Sequence, residues 1–377
     1  MAENKEKKVL NVPNLRFPEF EGEWQENYVN EICNEFKSGK AIKADLILDV
    51  GTYPVFGGNG LRGYTSTYNH DGLFVLIGRQ GALCGNVRSV IGKTYITEHA
   101  IAVNGNNKSD TNFLHYLFLQ MDLGRFSDQS AQPGLAVNKL LKLKVITPRI
   151  DEQRKIANLL RLLDERIATQ NKIIEKLESL IKGISNRLLY ADNSMSIRIE
   201  EMLIERSERT KKNNQYEILS STVNGIFSQR DYFSKDIASD NNVGYKIIHL
   251  HDIVLSPQNL WMGNINFNDK FDIGIVSPSY KVFSIADGFD KKYVAALLKT
   301  HHALYNYMLV SEQGASTVRR NLNYEAFEQL VFKIPSLNKQ QEIGHVISLL
   351  KSQLENANLL IKTYNSQKQY LLRQMFI

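Results

Sequence analysis

Gly58, Gly60 and Gly63 in the stretch "GNGLRG" stand at the G-x-G-x-x-G spacing with which dinucleotide-binding proteins hold a pyrophosphate. That chemistry needs a buried strand leading into the glycines and a helix starting from them, because free N–H groups at the helix N-terminus bind the phosphates. Neither is expected here. Upstream, Pro54 in "VGTYPVFG" interrupts a buried parallel strand. Downstream, "YTSTYNHDGLFVLIG" lacks a 3.6-residue apolar period and reads as strand and turn. Nothing acidic lies between Asp71 and Glu98, where a ribose partner would stand. These residues argue against a nucleotide-dependent enzyme working through this loop.

Other chemistries fare no better. In "GNVRSVIGKT", Gly85 precedes Gly92-Lys93-Thr94 by seven residues, whereas a phosphate cradle requires five. Without that cradle, "LILDV" at 46–50 reads as an ordinary segment, not as a strand ending in a magnesium-holding aspartate. No Asn-Pro-Pro-Tyr type motif is present to hold a flipped adenine, and His301 and His302 fall in an apolar helical stretch as structural or surface residues. Cys33 and Cys84 make neither a disulfide framework nor a metal-ligand spacing.

At 377 residues, 43% apolar and 23% charged, the chain is long enough for two globular domains. No run of 18 apolar residues spans a bilayer, and the first twenty residues lack an apolar export core, so a cytoplasmic protein is expected. A net charge of +6 and a pI near 9.0 lean modestly towards a polyanionic partner.

The elements that must position any site are written twice. Pro148 and Pro335, Gln153 and Gln340, Ile156 and Ile343, Leu163 and Leu350, and Ile174 and Ile361 match, each pair 187 positions apart. Each proline precedes a long helix, and Asp151 can cap the first or complement its dipole. In the first helix, Ile156, Leu160, Leu163, Ile167, Gln170, Ile174, Leu177, Ile181, Ile184 and Leu188 step alternately by four and three, a heptad seam broken only by Gln170. The second seam runs through Ile343, Ile347, Leu350, Leu354, Ala357, Ile361, Tyr364, Lys368, Leu371 and Met375, weakening at Ala357 and Lys368. From Asp151 to Tyr190 the first helix would extend about 60 Å.

The preceding segments correspond more loosely. "LCGNV" echoes "WMGNI", and "ITEHAIAV" echoes "VSPSYKVF". Each half then has one apolar helix, "NFLHYLFLQM" or "KKYVAALLKTHHALYNYML", a polar Gln/Gly/Ser loop, and a short segment closing on the proline. The order predicts an α+β chain of two mixed globules with two long antiparallel coiled-coil helices, pseudo-two-fold symmetric.

With its opening "VPNLRFPEFEGEW", the blocks "YPVFGGNGLRGY", "LIGRQGALCGNV" and "TEHAIAV", the second-half blocks "IVLSPQNLWMGNINF" and "GIVSPSYKVF", and the doubled helix, the sequence resembles the specificity subunit of type I restriction-modification systems over essentially its whole length. The resemblance implies target-recognition domains at 1–148 and 191–335, each reading half of a bipartite double-stranded DNA target, with spacer helices at 149–190 and 336–377. It implies a non-catalytic chain that binds no cofactor. Its partners would be two methyltransferase subunits using S-adenosylmethionine and motor/nuclease subunits using ATP and Mg, with no membrane. A coiled-coil scaffold without DNA specificity and a nucleotide-dependent enzyme using the Gly58–Gly63 loop are the competing readings.

In this frame Gly58, Asn59, Arg62 and Tyr64 read as a tight DNA-facing loop, with Arg79, Gln80, His99 and Gln132 as further candidates in the first domain. Gln258, Asn259, Trp261, Arg319 and Arg320 are the equivalents in the second. The glycines individually fit an ordinary β turn equally well.

Overall fold

The computed structural model describes residues 10–127, 134–188, 195–232, 241–313 and 320–377. The chain divides into two compact units, Met1–Asn171 with Leu359–Ile377, and Lys172–Asn358. Each of the two long helices, Ile150–Leu188 and Leu337–Gln374, contributes to both units.

Both units repeat one topology. In the first, a four-stranded antiparallel sheet runs in the order Cys33–Ser38, Ala100–Gly105, Leu73–Gly78, Val87–Ile91. In the second, the order is Leu203–Glu205, Lys281–Ile285, Ile253–Leu255, Ile265–Phe267. A hairpin accompanies each sheet: Tyr53–Gly57 with Gly60–Thr65, and Leu219–Thr222 with Gly225–Ser228. The strand entering each long helix, Lys144–Thr147 or Val331–Ile334, pairs antiparallel with the first strand of its unit, Gln25–Tyr28 or Met195–Arg198.

The matched glutamines are latches. Helix Thr111–Gln120 is capped by Asp110, whose side chain accepts from Phe113 N. The Asp110 N–H donates to Gln153 Oε1 at 2.9 Å, and Gln153 Nε2 donates to Lys108 O at 2.9 Å and Pro148 O at 2.8 Å. In the second unit Asp290 caps Lys291–Leu297 in the same way. Its N–H donates to Gln340 Oε1 at 3.1 Å, and Gln340 Nε2 donates to Pro335 O at 2.9 Å. Both glutamines are fully buried, so each amide must satisfy its donors and acceptor locally. The opening motif serves the same end. Arg16 makes a bidentate pair with buried Glu152, Nε to Oε1 and Nη2 to Oε2 both at 2.7 Å, and Trp24 Nε1 donates to Oε1 at 3.3 Å.

Burial along the first long helix follows Ile156, Leu160, Leu163, Ile167, Gln170, Ile174, Leu177, Ile181 and Ile184, while the intervening positions beyond Leu163 are mostly exposed. In the second helix the inward positions are Ile343, Ile347, Leu350, Leu354, Ala357, Ile361, Tyr364, Lys368, Leu371 and Met375. Within the first unit the two helices run antiparallel: Asp164 pairs with Lys368 at 2.5 Å, and Ile156 and Leu160 share a core with Leu372, Met375 and Phe376. Lys368 interrupts the apolar seam because its ammonium meets that carboxylate. Phe376 stacks on Phe113, centroids 5.3 Å apart, and burying a phenylalanine this completely contributes about 2–3 kcal/mol.

Two local expectations, the single second-half helix and the exclusion of a strand at Pro54, need correction. The stretch "KKYVAALLKTHHALYNYML" is two helices, Lys291–Leu297 and His301–Leu309, because the Thr300 hydroxyl accepts from Ala303 N and starts a new one. Of the two roles open to Asp151, the structure bears out the second: it lies inside the first turn of its helix, which begins at Ile150, and supports the dipole. The described helix ends at Leu188, and Tyr190 lies outside the described residues. Pro54 does not exclude a strand: it sits near the start of Tyr53–Gly57, and parallel pairing to Tyr95–Ile96 begins only at Val55.

Candidate nucleic-acid interface

"GNGLRG" folds as the tip of a hairpin. Gly57 pairs with Gly60, leaving Gly58 and Asn59 as a two-residue turn, and no helix follows. A Cβ on Gly58 would lie 2.7 Å from His99 O, and Gly60, at φ +109°, has the Arg88 guanidinium packed against the space a Cβ would need. The glycines thus bring the hairpin onto the end of the central strand and the turn before Ala100–Gly105.

The result is a cleft of about 280 Å³ lined by Gly57, Gly58, Asn59, Arg62, Gln80 and His99. Asn59, Arg62 and Gln80 are exposed. His99 Nδ1 lies 3.0 Å from Gln80 Oε1, and its Nε2 lies 3.2 Å from Glu98 Oε1, which fixes the ring between an amide and a carboxylate. Five expected residues therefore converge. Two others do not. Tyr64 is on the strand beyond the turn, its backbone bridged to Leu48, and Arg79 serves through its main chain, donating to His99 O and accepting from Leu135 N. Gln132 lies outside the described residues. Arg88 was missed: it projects from the edge strand to the hairpin tip, and among the described residues its Nε has no hydrogen-bond partner.

The second unit has its cleft at the corresponding place, between its hairpin and the ends of the central strands, with a volume of about 520 Å³. Asn259 lines it with Ser220, Gln229, Tyr245, Ser277 and Ser279. None of its described lining residues is charged. The Arg320 guanidinium lies 4.7 Å from the Trp261 ring centre, and Arg320 N donates to Gln258 O at 3.2 Å, so these three expected residues gather with one another, while Asn259 alone of the expected residues lines the cleft. Arg319 lies outside the described residues. The floor was missed. Asn266 Nδ2 donates to Ser221 Oγ and Thr222 O, each at 2.7 Å, and Ser221 Oγ donates to Asn264 Oδ1 at 2.9 Å; the side chains of Ser221, Asn264 and Asn266 are all buried. The signal was present in "GNINFN", where Asn264, Asn266 and Asn268 alternate with apolar residues and put amides on one face of a strand.

Arg or Lys is suited to guanine, and Asn or Gln to adenine, when paired edge-on with a base. Among the described residues no group of three or more His, Cys, Asp or Glu side chains can hold a metal ion. Burial pushes the Cys33 thiol up to about 12 and raises that of Cys84, so neither is a ready nucleophile at neutral pH. No helix among the described residues is long and apolar enough to cross a membrane.

A family model described as the type I restriction modification DNA specificity domain matches residues 21–179. Residues 21–179 are thus similar to that domain. Over that segment the match bears out the resemblance drawn from the sequence, and relatives agree. The specificity subunit of the Escherichia coli type I restriction enzyme EcoprrI is 42% identical over 154 residues, 40% of this chain and 38% of that protein. A Haemophilus influenzae chain named as a type I restriction enzyme specificity subunit is 27% identical over 147 residues, 38% of this chain and 37% of that one. The matched segments thus span under two fifths of each relative. Beyond the specificity domain the likeness is one of fold: the type I restriction-modification S subunit of M. genitalium aligns over 97% of this chain and 99% of its own at 16% identity, with a TM-score of 0.70.

Proposed function

We propose that this chain is a DNA-reading subunit without catalytic chemistry of its own, in which each unit reads one half of a bipartite double-stranded target. The observation that carries the reading is the recurrence of the cleft: two units with one sheet order each present, beside the hairpin, a cleft lined by side chains that pair with base edges. In the first unit Asn59, Arg62, Gln80 and His99 read, and in the second Gln258, Asn259 and Arg320 do. Trp261 holds Arg320 by stacking. On this reading the long helices set the spacer and dock two methyltransferase subunits. Those partners use S-adenosylmethionine, and motor/nuclease subunits use ATP and Mg, as the resemblance implies.

The test is methylome sequencing of cells carrying this chain with its methyltransferase, with and without substitutions in one cleft. Substitutions in the first cleft are expected to relax only one half-site, each lost bidentate contact costing about 1–3 kcal/mol of discrimination. A motif unchanged by substitutions in both clefts would refute the assignment. A scaffold without DNA specificity would give binding independent of sequence.

A further inference from the structure

The two halves build one junction in opposite ways. In the first unit, helix Thr111–Gln120 meets the long helices through Tyr116, whose hydroxyl donates to Asp164 Oδ2 at 2.9 Å. Lys368 Nζ lies 2.5 Å from Asp164 Oδ1 and 5.7 Å from the Tyr116 ring centre. A ring, a carboxylate and an ammonium fill the space.

Counting from the capping aspartates Asp110 and Asp290, Ala296 stands where Tyr116 does. Along the long helices, at the constant offset of 187, Lys351 replaces Asp164 and Ile181 replaces Lys368. The second unit has therefore lost the ring and exchanged the carboxylate for a cation. At that place it has a pocket of about 350 Å³, lined by Ala296, Ile181 and Lys351 together with Leu354, Lys299 and Lys182. The volume falls within the range of small-ligand sites.

The walls divide by chemistry. Ala296, Ile181 and Leu354 are apolar, and three lysines face one lining carboxylate, Glu178. Lys299 Nζ donates to Val223 O at 3.2 Å and Gly263 O at 2.9 Å, which uses two of its three protons and supplies no countercharge. Burial, and then the nearby Lys351, lowers the Lys299 ammonium to about 8. Lys351 stands at the exposed mouth of the pocket, where Asp269 and Glu355 favour its charged form. Two ammonium groups lining one side of a pocket whose other side is apolar are complementary to an anion attached to a flat ring, as the carboxylate and ring of Asp164 and Tyr116 are in the first unit.

We infer that this pocket is a binding site for an aromatic carboxylate, whose ring lies against Ala296, Ile181 and Leu354 and whose acid group meets Lys351 and Lys299. The ligand supplies from outside what Tyr116 and Asp164 supply internally in the first unit. The inference is independent of the DNA-reading role. A free aromatic acid and an aromatic side chain beside an acidic one in a partner segment share this chemistry, and the probes separate them.

The full-length chain is titrated calorimetrically with 4-hydroxyphenylacetate, with the peptide N-acetyl-Asp-Tyr-amide, and with phenol and acetate separately. Saturable binding of the acid or the peptide, with a dissociation constant on the order of 1 mM or tighter, is expected, the tighter of the two identifying the source. Phenol and acetate are each expected to bind at least about tenfold more weakly than the linked pair. Ala296→Phe fills the space and should abolish binding while preserving or raising the melting temperature, and Lys351→Met should weaken it about tenfold. Should Ala296→Phe fail to fold, Ile181→Trp closes the pocket from the opposite wall. Absence of saturable binding by both probes, binding that survives filling, or phenol binding as tightly as the acid would each overturn the inference.

Discussion

Replacing Gln153 by Leu separates the latch from the packing around it, because leucine retains an apolar stem and loses every hydrogen bond. Three main-chain groups lose their partner: Pro148 O, where the bond is buried, and Asp110 N and Lys108 O, where it is half-buried. An unsatisfied buried carbonyl costs about 1–3 kcal/mol, and each half-buried bond about 0.5–1.5 kcal/mol. Burying leucine in place of an amide returns part of this. The expected net loss is about 2–4 kcal/mol, confined to the first unit. Gln340→Leu breaks two bonds in place of three and should cost the second unit about 1–3 kcal/mol.

The chain carries its own reporters, since its two tryptophans, Trp24 and Trp261, lie one in each unit. In a Trp261→Phe background, urea unfolding followed by fluorescence reads the first unit alone through Trp24. In a Trp24→Phe background it reads the second, and two separate transitions replace one. Gln153→Glu adds a test of sign. Its carboxylate still accepts from Asp110 N but faces two carbonyl oxygens, so it should be at least as destabilising as leucine at neutral pH and less so once protonated. A Gln153→Leu loss below about 1 kcal/mol, or equal losses in both units from either single change, would refute the latch.

The remaining expectations are brief. Arg62→Ala and Asn59→Ala should relax base identity in one half-site by about 1–3 kcal/mol per contact and leave folding unchanged, as read by methylome sequencing and thermal melts. Burial, then Lys368, push the His115 imidazole down to about 4 against the opposing pull of Asp164. Its unfolded form protonates first on acidification, so this stability is complete above about pH 6.5 and lost towards pH 4. The loss reaches up to about 3 kcal/mol, and His115→Gln should flatten that part of the stability profile. A fragment ending near Tyr190 should pair with a second copy through its exposed seam and direct methylation of an interrupted palindrome. Ile181→Lys should tighten that dimer by restoring the partner Asp164 loses with Lys368, and a folded monomer in sedimentation would refute the pairing.

Period and offset carried most of the architecture into view. A strict heptad and a constant spacing are local properties, and the described seam positions of both helices are the inward ones, Leu188 lying outside the described side chains. The pairing of Gln153 with Gln340 was equally visible, but its reason was not, since the bonds go to the main chain of Lys108 and Asp110, far back in sequence. The break at Thr300 was hidden because apolar residues flank it on both sides and a hydroxyl cap leaves no apolar signature. In the clefts, glycines with Asn59 and Arg62 advertised a turn. The Ser221, Asn264 and Asn266 floor looked like strand surface until the hairpin covering it was in place.

The side-chain bonds described as repeating in both units have one property in common: each runs from a side chain to a main-chain atom. Gln153 and Gln340 address backbone N–H and C=O groups, and Asp110 and Asp290 cap with backbone N–H groups, so none depends on the side chains nearby. Such bonds hold the strand, the capped helix and the start of the long helix in place whatever occupies the cleft. The cleft is then free to change its lining, from Arg62 and His99 in the first unit to uncharged Asn, Gln, Ser and Tyr in the second, at no cost to the frame. The junction beneath obeys the same logic, closed by Tyr116 in one unit and open at Ala296 in the other, because the latch beside it holds in both.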